Sequence, residues 1–69
     1  AQSLAQVEAA LDAMPARRRD ALRLHRFEGL SYKQIAARLQ VSPSTVKTDI
    51  AMAVAEIAET LARMARAGG

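Results

Sequence analysis

Residues 29–53 run Gly29-Leu30-Ser31-Tyr32-Lys33-Gln34-Ile35-Ala36-Ala37-Arg38-Leu39-Gln40-Val41-Ser42-Pro43-Ser44-Thr45-Val46-Lys47-Thr48-Asp49-Ile50-Ala51-Met52-Ala53. Gly29 suits the left-handed residue that ends a helix, because no Cβ opposes that conformation. Ser31 followed three residues later by Gln34 is a capping box, which predicts a helix over 31–39. That helix is about two turns long, with Ile35, Ala36 and Leu39 as its apolar face. Gln40-Val41 leaves room only for a tight turn. Ser42 as N-cap with Pro43 at the first helical position then opens a second, longer helix over 43–67. At roughly 100° per residue, Val46, Ile50, Ala53, Ile57, Leu61 and Met64 fall within an arc of about 80°, which is expected to be buried. Ser44, Thr48, Ala51 and Ala55 point the opposite way, with Lys47 on one flank and Thr45 and Met52 on the other.

Upstream the pattern is again helical. Leu4, Val7, Leu11 and Met14 recur at helical spacing and predict a helix over 3–13. Met14-Pro15 interrupts it, since the residue before proline avoids the α region, and proline suits a first turn. A helix over 15–28 follows, with Ala21, Leu24 and Phe27 expected inward, Leu22 to one flank and the arginines outward. No segment alternates like a strand. The expected fold is all-α, a compact four-helix domain containing a helix-turn-helix over residues 1–69, with Gly68-Gly69 fraying its end. The chain opens on Ala1 without an initiator Met and is expected to be a piece of a longer protein.

Sixty-nine residues make one domain at most. Half are apolar, but many are alanine and only Phe27 and Tyr32 are aromatic, so the core must be economical. Stability is expected at the low end of the ~5–15 kcal/mol typical of domains. With no cysteine there is no disulfide and no Cys-based zinc site. No apolar run reaches the ~20 residues of a membrane span, and a cytoplasmic location is expected. The net charge of +3 is unevenly spread. Residues 14–47 hold Arg17, Arg18, Arg19, Arg23, Arg26, Lys33, Arg38 and Lys47 against Asp20 and Glu28, while both flanks are acidic. A basic middle points to an anionic partner that touches one part of the domain.

Enzyme chemistry finds no foothold. The one histidine, His25, stands among arginines with no carboxylate or thiol partner, and no carboxylate pair or glycine-rich phosphate loop is present. No catalytic residue, metal or cofactor is expected. The short helix, tight turn and longer helix of residues 29–53 match instead the way a helix-turn-helix offers a helix N-terminus to the major groove. Small residues there let the backbone approach the bases, hydroxyls bond phosphates or base edges, and a cation attracts phosphate. Ser42, Ser44, Thr45, Lys47 and Thr48 meet that demand. A Ser-Pro-Ser-Thr run is also simply a good helix start, so the pattern alone leaves capping and DNA contact both open.

The segments Leu11-x-x-Met14-Pro15-x-x-x-Arg19, Gly29-Leu30-Ser31-Tyr32-x-x-Ile35-Ala36-x-x-Leu39, Val41-Ser42-x-Ser44-Thr45-Val46-Lys47 and Ala53 occur in one order over about residues 9–61. Together they resemble region 4 of bacterial extracytoplasmic-function sigma factors, with the iron-uptake branch as the most similar. The resemblance implies a four-helix unit whose last helix reads the −35 promoter element and directs RNA polymerase to initiate. It implies promoter DNA and the β flap of the polymerase core as partners, and an anti-sigma factor that covers the domain. The LuxR-type output domain of response regulators shares the Gly-Leu-Ser and Ser-x-x-Thr-Val-Lys elements. Met14-Pro15 and Tyr32 favour the sigma resemblance.

On that resemblance, Lys47 neutralises phosphate at the groove edge, Ser44, Thr45 and Thr48 face bases or adjacent phosphates, and Ser42 caps the helix near the backbone. Ser31 and Lys33 anchor the opposite phosphates, and Arg38 is a further phosphate candidate. Met52 touches a thymine methyl or borders a protein interface. The Arg17–Arg19 run is expected to be solvated or protein-facing. The sequence departs from the family at Gln40, where glycine is frequent, and at Asp49 and Met52, where basic or aromatic residues are common. With Lys47 and Asp49 as its only charges, the reading helix nets to zero over residues 42–53, which predicts weak DNA binding by the isolated domain and a shallow salt dependence, at ~0.9 in log–log slope per phosphate contact. A second function class stays open, a helical module acting mainly through a protein partner. Its candidate surface is apolar residues that so small a core leaves uncovered, such as Val7 and Leu22.

Overall fold

The computed structural model describes residues 2–68. Four helices follow in order, α1 (Gln2–Ala13), α2 (Ala16–Phe27), α3 (Tyr32–Leu39) and α4 (Pro43–Gly68), and no strand occurs among the described residues. This is the all-α, helix-turn-helix architecture that the periodicities predict. Helix α4 continues through Gly68, past the expected fraying point, and Gly69 lies outside the described residues.

Each helix boundary has a local cause. Pro15, with φ −53° and ψ 141°, separates α1 from α2, and its carbonyl accepts the first helical bond from the Arg19 N–H at 3.1 Å. Helix α2 ends at Gly29, whose φ of 67° lies in the left-handed region. The Ser31–Gln34 capping box is formed: the Gln34 N–H donates to Ser31 Oγ at 3.1 Å, and the Ser31 N–H donates to Gln34 Oε1 at 2.8 Å. Gln40 closes α3 in the left-handed conformation, with φ 59° and ψ 46°, and its N–H donates to the Ala36 carbonyl. It is the sole non-glycine residue with positive φ among those described.

Helix α4 packs against each of the other three helices. The core joins Met14, Ala21, Leu22, Leu24, Ile35, Ala36, Val46, Ile50 and Ala53, with Ile35 and Val46 fully buried where α3 meets α4. Leu11, Leu30, Leu39, Val41 and Ile57 pack around it.

Three burial expectations are corrected. Phe27, expected inward, is 79% exposed: it is the last residue of α2, where the core cluster no longer includes the helix. Leu22, expected on a flank, is buried: α2 is covered on that side by α1 and α4, which widens its inward arc. Leu61, expected within the buried stripe of α4, is exposed, whereas Thr60 beside it is buried. Thr60 borders Ala10 and Ala13 of α1, so the buried side of α4 turns toward it there. Its hydroxyl is satisfied by donating to the Glu56 carbonyl at 3.1 Å.

The left-handed Gln40 carries a strain of roughly 1–2 kcal/mol, partly offset by the greater backbone freedom glycine would lose on folding. Gln40→Gly is therefore expected to stabilise the domain by about 0.5–1 kcal/mol, read as a higher urea midpoint with an unchanged slope. A lower midpoint would show that the Gln40 side chain contributes more than its backbone costs. Ser31→Ala removes one half of the capping box and is expected to cost about 1 kcal/mol in the same titration.

Candidate nucleic-acid interface

The turn at Gln40-Val41 sets α4 going with its first two turns facing solvent on the side away from the core. Ser42 caps it: the Thr45 N–H donates to Ser42 Oγ at 3.1 Å, and the two hydroxyls hydrogen-bond each other at 3.0 Å. Thr45 is consequently half-buried, with its hydroxyl engaged by the cap. Ser44, Lys47 and Thr48 are exposed together on the outer face of α4, and Met52 continues that face at 45% exposure. At the start of α3, Ser31 and Lys33 are exposed, with Ser31 Oγ already accepting from Gln34. Arg38 lies on the last turn of α3 and shares a shallow depression with Asp20, Arg23, Leu24 and Leu39. Among the described residues, Lys33, Arg38 and Lys47 take part in no ion pair, so their charges are available to an external anion.

Asp49 departs most from expectation. It is 4% exposed, turned off the outer face and toward the first turn of α2. Arg17 Nε donates to Asp49 Oδ2 at 2.7 Å, Arg17 Nη2 donates to Oδ1 at 3.4 Å, and Arg18 Nε stands 3.9 Å from Oδ1. The hydrogen bond that Arg17 donates to Asp49, and then the charge of Asp49, hold the Arg17 guanidinium above its ordinary pKa. Counting Asp49 against Lys47 in the charge of the reading helix is thereby corrected. Its charge is compensated inside the domain, and the exposed face of α4 keeps the unopposed charge of Lys47.

The same contacts correct the view of residues 17–19. Arg17 and Arg18 are intramolecular clamps. Arg18 also pairs with Glu56 and places Nη2 3.7 Å from Met52 Sδ. Arg19 reaches Asp20 at 3.8 Å. No local spacing signals the Arg17–Asp49 and Arg18–Glu56 pairs, whose members lie 32 and 38 residues apart. The one available hint was an acid in a helix otherwise built for an anion, together with an arginine run that lacked a partner.

A second surface lies between α1, α2 and α4, an apolar groove of about 300 Å³ lined by Val7, Leu11, Leu22, Phe27, Val54 and Ile57, with Arg23 and Arg26 alongside. Of the two residues expected to be left uncovered, Leu22 is instead buried in the core as a wall of this groove, because α1 and α4 cover it, and Val7 is half-buried. The parts most open to a partner are Phe27 and Val54, at 79% and 53% exposure; the helical periodicity placed Phe27 inward and did not single out Val54. His25 serves the chain itself: Nδ1 lies 3.0 Å from the Leu30 carbonyl, and its ring sits 5.2 Å from that of Tyr32, bridging α2 to α3. Among the described residues, no cluster of His, Cys, Asp or Glu is arranged to hold a metal, and no helix is long and apolar enough to cross a membrane.

Residues 4–57 match the family described as Sigma-70, region 4. No curated protein and no solved structure matches the chain. That family is a DNA-binding regulatory domain rather than an enzyme family, and through it sigma factors engage promoter DNA and RNA polymerase in transcription initiation. Its match takes in the turn, the capped start of α4 and the core stripe that carries it, and the chain belongs to the sigma-70 region 4 family.

Proposed function

We propose that this domain reads the −35 promoter element with the first turns of α4 and so directs RNA polymerase to its start sites. The observation that carries the reading is the exposed set Ser44, Lys47 and Thr48 at a capped helix N-terminus, with no ion pair claiming the lysine. Lys47 supplies phosphate attraction, and Ser44 and Thr48 offer hydroxyls to bases or phosphates. Ser42 and Thr45 act mainly on the helix start, since each engages the other's hydroxyl. Ser31, Lys33 and Arg38 contact phosphates across the groove, helped by the free N–H groups of the α3 terminus. Met52 lies at the margin of this face.

The motif resemblance supports the extracytoplasmic-function group, with iron-uptake sigma factors as the nearest branch, and a cytoplasmic site of action. Membership of the sigma family gives no support to the LuxR-type alternative. With a single cation on the reading face, binding by the isolated domain is weak. Useful affinity comes from tethering to the polymerase and to a second DNA-binding domain, through effective concentration.

A second reading concerns the apolar groove. Exposed Phe27 and Val54 above a buried Leu22 support a protein partner there, the β flap of the polymerase or an anti-sigma factor. Arg23 and Arg26 would meet acidic residues of that partner.

Two measurements test these readings. In a −35-dependent transcription assay with polymerase core and the sigma factor carrying this domain, Lys47→Ala is expected to abolish promoter-specific initiation and leave core binding intact. It should also lower the log–log salt slope of duplex binding by about 0.9, one phosphate contact. Full activity of the variant would move the DNA face away from α4. Phe27→Ser is expected to weaken core or anti-sigma binding at least about tenfold while leaving the salt slope unchanged. Wild-type partner binding by this variant would remove the groove from consideration.

A further inference from the structure

Asp49 lies in the middle of the helix that presents Ser44, Lys47 and Thr48, yet it is withdrawn from solvent and both its oxygens are taken by Arg17. A side-on, two-point contact between guanidinium and carboxylate fixes orientation as well as distance. Arg18, the next residue of α2, continues along the same edge of α4: it approaches Asp49, places Nη2 beside Met52 Sδ and pairs with Glu56. Positions 49, 52 and 56 recur at helical spacing, so two consecutive side chains in the first turn of α2 grip two turns of one edge of α4.

The apolar stripe beneath is Val46, Ile50 and Ala53, short side chains whose burial is non-directional. Such a stripe holds α4 down but resists rolling weakly. A roll of about 20° at a side-chain radius of about 5 Å displaces a tip by about 2 Å. A recognition site tolerates only about 0.5 Å. Something directional must therefore set the roll, and the Arg17–Asp49 contact is the directional interaction nearest to the outer face. The shallow depression it borders is walled by Ser44, Thr45 and Thr48.

We infer that Asp49 is a positioning residue for promoter recognition: clamped by Arg17, it sets the roll of α4 about its axis and so determines which base pairs Ser44, Lys47 and Thr48 reach. The inference rests on the proposed reading of the −35 element by α4. Asp49 touches no base, and Arg17 acts on specificity through it.

The test uses the sigma factor carrying this domain with polymerase core, transcribing a promoter library randomised across the −35 element. Sequenced transcripts give the discrimination between the preferred element and the median member. Asp49→Asn and Arg17→Gln are each expected to reduce that discrimination about tenfold, within the range of coupling between contacting residues. Arg17→Lys keeps the charge and loses the two-point contact. It is expected to melt like the wild type and still lose discrimination, an outcome that a merely structural ion pair does not produce. The reversed pair, Arg17→Asp with Asp49→Arg, is expected to recover discrimination to within about threefold of wild type. Single variants that melt earlier but keep wild-type discrimination overturn the inference, and so does a reversed pair that recovers nothing. A wild-type protein that shows no −35 preference, with core binding intact, overturns the reading beneath it, and the two failures are thereby told apart.

Discussion

Helix α4 packs against every other helix of the domain, and its buried stripe of Val46, Ile50 and Ala53 is the surface on which α1, α2 and α3 assemble. The same helix carries Ser44, Lys47 and Thr48 on its outer side. One element is thus both the centre of the fold and the exposed tool, and its two faces are tied by 3.6-residue geometry. The sizes on the inner face follow from that double duty. Ala53, Ala36 and Ala21 let helices approach closely, while Ile35 and Val46 fill the junction of α3 with α4. Apolar burial in so small a chain is limited, so directional polar contacts at the ends and edges of helices matter proportionately more.

Those polar contacts are concentrated where α3 and α4 begin. The Ser31–Gln34 box and the Ser42–Thr45 pair fix the two helix starts on either side of the turn at Gln40. Capping and DNA contact were the competing explanations for these hydroxyls, and the geometry divides the residues between them. Ser31, Ser42 and Thr45 are engaged in caps, whereas Ser44 and Thr48 make no side-chain bond among the described residues. A cap does not disqualify a hydroxyl from a phosphate, since Ser31 Oγ accepts in the box and retains its proton to donate. It does fix where that hydroxyl points.

The all-α class was legible because the periods of Ile35, Ala36 and Leu39, and of Val46, Ile50 and Ala53, are helical, and because Pro15, Gly29 and Pro43 punctuate them. Burial was less legible toward the ends of that pattern. Leu61 shares the phase of Ile57 but lies beyond the residues of α4 that join the core, and Phe27 keeps phase with Leu24 but stands at the last turn of α2. Period reports which way a residue faces. It does not report whether anything is there to cover it. The candidate interface was legible in its outward positions, Ser44, Lys47 and Thr48. Its charge was misread at Asp49, which was counted against Lys47, because the carboxylate's main partner, Arg17, is on another helix 32 residues away.

The misreading matters for electrostatics as well as for geometry. An acid on the outer face would repel phosphate and cancel Lys47. The same acid beneath the edge, neutralised by Arg17 and flanked by Arg18, leaves Lys47 unopposed and consumes two of the arginines that made the middle of the chain look strongly basic. The charge offered to an external anion is therefore set by which cations remain unpaired, chiefly Lys33, Arg38 and Lys47 around the turn, and not by the net charge of the segment. Arg23 and Arg26, likewise outside the ion pairs, lie instead beside the apolar groove on the α1–α2 side. Two kinds of cationic setting result, one beside the hydroxyl-bearing helix starts at Lys33 and Lys47 and one beside exposed Phe27 and Val54, with Arg38 and Arg23 sharing the depression between α2 and α3. Their chemistry differs as nucleic-acid and protein surfaces differ: phosphate contacts need cations with little apolar area, while a protein anchor needs apolar area with cations at its margin.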